Sequence, residues 1–133
     1  MKKKILIADD DPTVLDVIRM ILDKAGYKTE TTLNGRTLLN NIPADFDLIL
    51  LDVRMSGIDG FMICRHLKSQ ESTRDIPIVM VSAIPELGRM TENSCADAYL
   101  EKPFNMFELL QIVEKYTHRD KSDGTESADG KKK

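Results

Sequence analysis

Asp47-Leu48-Ile49-Leu50-Leu51-Asp52-Val53-Arg54-Met55-Ser56-Gly57-Ile58-Asp59-Gly60 is the stretch from which the fold can be read. Four apolar residues run without polar alternation, meet a carboxylate at Asp52, and break into a turn carrying two glycines. An unalternated apolar run suits a strand covered on both faces, the normal state inside a parallel sheet. Asp52 then stands at the carboxyl end of that strand, and open α/β sheets bind ligands outside their strand carboxyl ends. The remaining question is which other groups converge there.

Outward from this stretch the pattern repeats. Ile5-Leu6-Ile7-Ala8 is a second fully apolar strand and is followed by Asp9-Asp10-Asp11. Val14, Val17, Ile18, Ile21, Leu22 and Ala25 then recur at helical steps. Asp11 is the expected N-cap, Pro12 the first helical residue and Gly26 the C-cap. Residues 27–32 make a polar strand suited to a sheet edge, and residues 34–42 a short helix ended by Pro43. Phe61, Met62, Ile63 and Leu67 mark the helix after the turn. Ile76 to Val81 is another buried strand, ending at Ser82. Residues 85–94 are a weak helix containing Gly88, and Ala98 to Glu101 is a short strand running into Lys102-Pro103. Asn105 caps the last helix, with Glu108 placed for a capping box, and Phe107, Leu110 and Val113 carry it to about Thr117. Five strands alternating with five helices predict a doubly wound α/β fold with a parallel sheet. The domain spans residues 1–117. Residues 118–133 contain no large apolar side chain and are expected to form a disordered polar tail.

Composition narrows the function classes. The 133 residues suffice for one domain with a single core, and a net charge of −3 without a basic stripe argues against nucleic acid as a partner. No stretch approaches the roughly 20 apolar residues that span a bilayer, so no membrane partner is expected. Lys2-Lys3-Lys4 precedes too short an apolar segment to open a signal peptide. Cys64 and Cys95 are far apart in sequence and form no metal-ligand pair. A reducing, cytoplasmic setting is the expectation.

In a parallel sheet, Asp9, Asp10, Asp52, Ser82 and Lys102 all fall at one edge. Carboxylates gathered there repel one another unless a cation lies among them. Hard oxygen ligands with room for water suit Mg²⁺, a site commonly completed by phosphate oxygens. Lys102 adds a point charge for a phosphoryl oxygen and Ser82 a hydroxyl donor. The set suits phosphoryl transfer onto the Asp52 carboxylate. Singly, each residue has a plainer reading: Asp9 and Asp10 as loop residues, Asp11 as an N-cap, Asp59 as a turn residue, Ser82 as a loop serine and Lys102 as a surface lysine. Their coincidence at successive strand ends favours the site.

These motifs resemble a family. Ile5 to Asp11, Asp47 to Gly60, Val79-Met80-Val81-Ser82-Ala83 and Tyr99-Leu100-Glu101-Lys102-Pro103-Phe104 together resemble the receiver domain of two-component response regulators, of the single-domain type. The resemblance implies a flavodoxin-like sheet of order 2-1-3-4-5 and a cis Lys102–Pro103 bond. It implies that Asp52 accepts a phosphoryl group from a histidine kinase or histidine phosphotransfer protein. Asp10 and Asp52 would then contact Mg²⁺, supported by Asp9 and joined by the backbone carbonyl of Arg54. Ser82 matches the switch hydroxyl, Tyr99 the switch aromatic and Lys102 the phosphate-binding lysine. Such a chain is a stand-alone phosphorylation switch that acts on a downstream protein through a controlled interaction face. It is not an enzyme, although it assists its own phosphorylation and dephosphorylation.

Departures from the family pattern are Ser56 in place of proline, Cys95 in place of glycine, and a shortened interval between Ser82 and Lys102 that predicts a short, mobile fourth helix. By resemblance, Arg54 and Ile84 flank the phosphoryl group, and Arg54 is expected to lengthen its lifetime. One alternative is a degenerate receiver acting as a constitutive binding module, against which the complete residue set argues. Another is an aspartyl phosphatase, which needs an acid where Arg54 stands. Nucleotide or flavin binding is disfavoured because Asp9, Asp10 and Asp11 would repel phosphate.

Overall fold

The computed structural model describes residues 2–40, 42–55, 57–83 and 95–118. Strand β1 is Lys4–Ala8 and helix α1 is Pro12–Lys24. Strand β2 is Lys28–Thr32, and a 3-10 helix covers Gly35–Leu39. Strand β3 is Leu48–Asp52, and the two-residue strands β4 and β5 are Arg54–Met55 and Ile58–Asp59. Helix α2 is Gly60–Ser69, β6 is Ile78–Ala83, β7 is Ala98–Lys102 and α3 is Met106–Thr117. The expected fourth helix over residues 85–94, Ile84, Ser56 and the tail from residue 119 lie outside the described residues.

The main sheet has the order β2-β1-β3-β6-β7, every pairing parallel. Counting only its own strands, this is the expected 2-1-3-4-5, with the polar β2 at one edge. Apolar residues alternate between two cores rather than between core and water. Leu6, Ala8, Ile49, Leu51, Ile78 and Met80 pack with Phe61, Ile63, Cys64 and Leu67 of α2. Ile5, Ile7, Leu48, Leu50, Val79 and Val81 pack with α1 and α3 on the other face. Period-2 side-chain alternation explains how an unbroken apolar run serves both layers.

The helix termini follow their residue chemistry. Asp11 accepts a hydrogen bond from the Thr13 amide. At the other end of α1, Gly26 adopts φ 98°, and the Tyr27 and Gly26 amides return to the carbonyls of Leu22 and Asp23. Asn105 and Glu108 form the expected reciprocal capping box of α3.

Three local expectations need correction. The helix expected over residues 34–42 is a 3-10 helix, in which the Thr37 amide bonds three residues back to Asn34. The apolar stripe of α1 is Leu15, Ile18 and Leu22, while Val17 lies exposed. In α3 it is Leu109 and Val113, continued by the buried but polar Thr117, while Phe107 lies exposed. Both helices carry surplus apolar residues, so periodicity alone permits more than one phase.

Candidate functional site

The carboxyl edge of the sheet gathers the acidic residues. Asp9 follows β1 directly and is buried; its Oδ1 accepts the Asp11 amide at 2.9 Å. The loop is thereby folded back so that the exposed Asp10 faces the same edge. Asp52 closes β3 and is also buried. One carboxylate oxygen each from Asp9, Asp10 and Asp52 lies within 4.8 Å of the others. Lys102, the last residue of β7, holds its Nζ 3.3 Å from Asp9 Oδ2 and 3.3 Å from Asp52 Oδ1.

This arrangement is electrostatically one-sided. Burial, followed by the charge of Asp9, pushes the Asp52 carboxyl up to about 6, against the opposing pull of Lys102. Burial lowers the Lys102 ammonium, but Asp52 and Asp9 outweigh it and leave its pKa above the ordinary lysine value. Asp52 therefore resists ionisation even beside Lys102, and a cation bound among the carboxylates would relieve it. The donors are all hard oxygens, and the exposed Asp10 leaves room for retained water. The set therefore fits Mg²⁺ better than an ion that demands a full protein cage.

Beside the acids, β4 and β5 form a small antiparallel hairpin that places Arg54 opposite Asp59. Asp10, Val53, Arg54, Met55, Gly57, Ile58 and Asp59 line a cleft of about 570 Å³. The expected turn is thus a short hairpin, and Asp59, expected as a turn residue, is the N-cap of α2, accepting the Phe61 amide at 2.9 Å. An Asp-Gly pair immediately before a helical pattern is the signal that marks it. Gly60 presses against the site from beneath. Its amide donates to the Val53 carbonyl, and a Cβ here would lie 2.5 Å from the Asp52 carbonyl oxygen and 2.8 Å from that of Val53.

Ser82 and Tyr99 are placed differently. Ser82 is buried in β6 and its hydroxyl donates to the Ala83 carbonyl at 3.0 Å rather than to the acidic cluster. Tyr99 pairs in register with Met80 and packs on the α2 side of the sheet, where burial raises its hydroxyl pKa. Strand alternation puts Ser82 on that same side, two residues beyond Met80. Asp9, Asp10, Asp52 and Lys102 are therefore brought together, Arg54 lines the adjoining cleft, and Ser82 and Tyr99 share one sheet face. The Lys102–Pro103 bond is cis, as expected.

Sequence reading passed over two further contacts. Asp97, just before β7, accepts the Ile78 amide at 2.8 Å and the Lys68 Nζ at 2.9 Å on the same Oδ2. Cys64 and Cys95, distant in sequence, meet in the same apolar cluster. Both contacts join segments about 20 to 30 residues apart, beyond the reach of local periodicity.

Comparison with known proteins agrees with this geometry. The family model of the response regulator receiver domain matches residues 5–114. The chain is 36% identical over 113 residues to the DNA-binding dual master transcriptional regulator RpaA of Synechocystis, covering 83% of this chain and 47% of that protein. It spans about half the length of that relative. Among solved structures, a putative response regulator from Chloroflexus aurantiacus superposes with a TM-score of 0.78 at 30% identity, covering 90% of this chain and 100% of the other. The receiver domain of the sensor histidine kinase PA1611 from Pseudomonas aeruginosa, solved with a magnesium ion coordinated in its active-site cleft, superposes with a TM-score of 0.76 at 29% identity, covering 90% and 100%. The chain belongs to the response regulator receiver domain family of two-component systems.

Proposed function

We propose that Asp52 is the phosphoacceptor of this receiver, and that a histidine kinase or histidine phosphotransfer protein is the donor. The observation that carries the reading is the placement of Asp52. It is a buried carboxylate at a strand end, within 3.3 Å of the Lys102 ammonium and grouped with Asp9 and Asp10.

An oxygen of ionised Asp52 attacks the phosphorus of a phosphohistidine. The P–O bond forms as the P–N bond breaks, and the imidazole nitrogen takes back the electron pair. Lys102 offers its ammonium to a phosphoryl oxygen and keeps Asp52 charged; Asp9, fixed by the Asp11 amide, holds Lys102 in place. Asp9, Asp10, Asp52 and the Arg54 backbone carbonyl would hold Mg²⁺, which when bound neutralises the carboxylates and the charge gathering on the phosphoryl oxygens. Ser82 exchanges its bond to Ala83 for one to the phosphoryl group, and Tyr99 reads that change on the neighbouring strand. A downstream protein then responds to the altered face. Arg54, beside the cleft, slows hydrolysis of the acyl phosphate. The domain turns over no free metabolite and acts as a cytoplasmic switch rather than an enzyme. The proposed domain is residues 1–117, and the reading concerns that receiver unit. DNA binding is a property in the name of the Synechocystis relative.

Incubation with acetyl phosphate and Mg²⁺ tests the assignment. Intact mass should rise by one phosphoryl group in the wild type and not in Asp52→Asn. An equal rise in the variant would overturn it. Arg54→Ala should shorten the lifetime of the modified species, and an unchanged decay would remove Arg54 from the proposal.

A further inference from the structure

Helix α2 and the turn that feeds β7 each bring a cysteine to one apolar cluster. Cys64 is fully buried on α2, and Cys95, in the turn, is half-buried and packs against the same apolar cluster. Cys95 acts directly on the Cys64 thiol, helping burial to raise its pKa. A second bridge between these segments lies close by, because Lys68, one helical turn after Cys64, ion-pairs at 2.9 Å with Asp97, two residues after Cys95. The two sulfurs are thus held as neighbours by contacts that do not depend on them. Cys95 lies outside regular strand structure, so its backbone can adjust to a bond that α2 cannot meet by itself.

We propose that Cys64 and Cys95 are a reversible redox pair, closed to an intramolecular disulfide by a hydroperoxide and reopened by a cellular dithiol. The more accessible Cys95 reacts first. Its sulfur attacks one peroxide oxygen, the O–O bond breaks, and with hydrogen peroxide the departing hydroxide leaves as water with the thiol proton, giving a sulfenic acid. Cys64 then attacks the Cys95 sulfur. The S–O bond breaks, and hydroxide leaves with the Cys64 proton as a second water. Two thiols and one hydrogen peroxide become one disulfide and two waters. The order of events is supported by the burial of Cys64, which pushes its thiol far above the usual cysteine range and makes it a poor first nucleophile. Closure would tie α2 covalently to the turn beside Tyr99, whose ring packs in the same cluster. A disulfide of this kind in a reducing compartment is transient and oxidant-sensing. The inference stands on the packing of Cys95 against the cluster that holds Cys64 and on the Lys68–Asp97 bridge beside it, and is independent of phosphorylation at Asp52.

The experiment treats the full chain, reduced and dilute, with hydrogen peroxide and then alkylates the remaining thiols. The expected product is monomeric, lighter by two hydrogens, unalkylated, and cross-linked between the peptides of Cys64 and Cys95. Its Tm should rise by on the order of 10 °C and return on reduction with dithiothreitol. Cys64→Ala should leave a Cys95 sulfenic acid that dimedone traps. Cys95→Ala alters only a half-buried site, and its Cys64 should stay reduced and resist peroxide. Two alkylated thiols after treatment, a Cys95-linked dimer, or over-oxidation of Cys95 without a cross-link would each overturn the proposal. So would a Cys64 that oxidises as fast in Cys95→Ala as in the wild type.

Discussion

The two ends of the parallel sheet use aspartate and lysine to opposite purposes. At the amino end, carboxylates are matched closely by donors. Asp97 receives the Ile78 amide and Lys68, and Asp47 Oδ2 accepts the Lys4 amide at 2.8 Å while its own amide donates to the Lys4 carbonyl. Tyr116 adds its hydroxyl to the Asp97 carbonyl, so one residue ties together α2, β6 and α3. At the carboxyl end, three carboxylates gather while Lys102 sits at a looser 3.3 Å from two of them, and Asp52 is pushed towards neutrality. One end is satisfied and fixes the fold. The other holds a buried carboxylate, Asp52, whose pKa stays raised despite Lys102, and such a perturbed group is what a cation or phosphoryl site uses.

That contrast can be broken most forcefully at the satisfied end. Asp97→Ala removes the acceptor of a strand amide and of a lysine, and should destabilise the protein by about 3 kcal/mol in urea unfolding. A loss below 1 kcal/mol would mean the amino end is not the anchoring one. Gly60→Ala forces a Cβ against the backbone of Asp52 and Val53. It should cost roughly 2.5 kcal/mol and also weaken Mg²⁺ binding measured by calorimetry, because relief of the clash moves the Asp52 main chain.

The Asp52 carboxylate, at the carboxyl end, should respond in the opposite direction. In the metal-free protein Asp52 keeps its proton to about pH 6, against an ordinary value of 3.8. Between those values the folded state binds more protons than the unfolded state. Stability from this group therefore falls as pH rises from about 4 to 6, and stays lost above. Asp52→Asn should make the metal-free protein about 2 kcal/mol more stable at pH 7, with the gain vanishing near pH 4. The difference between the two unfolding curves across that range isolates the residue, and a destabilised variant at pH 7 would contradict the picture. The smallest effect belongs to Tyr116→Phe, which deletes a single exposed hydrogen bond of 3.2 Å and should cost about 0.5 kcal/mol.

Much of this was legible in the chain because buried parallel strands announce themselves. Ile5 to Ala8, Leu48 to Leu51 and Ile78 to Val81 are apolar runs that no exposed strand would carry, and the acids that follow them share an edge once the strands are parallel. The grouping of Asp9, Asp10, Asp52 and Lys102 follows from that logic. The phase of α1 and α3 was harder, since Val17, Met20, Met106 and Phe107 put apolar side chains on faces that meet water. The β4–β5 hairpin escaped because two-residue strands have no period. Asp97 and the Cys64–Cys95 contact escaped because they depend on which distant segments the fold brings together.

The order of strands in the sheet also bears on how the protein emerges during synthesis. After β1 and β2 have paired, β3 adds beside β1, β6 beside β3 and β7 beside β6, so the sheet grows along one advancing edge in the order in which the ribosome releases it. No strand has to insert between two already paired. Asp9, Asp10 and Asp52 are all delivered before Lys102, on the final strand. A nascent chain halted short of β7 therefore presents an acidic cluster without its lysine and an open β6 edge, the kind of unpaired strand that templates association with another chain.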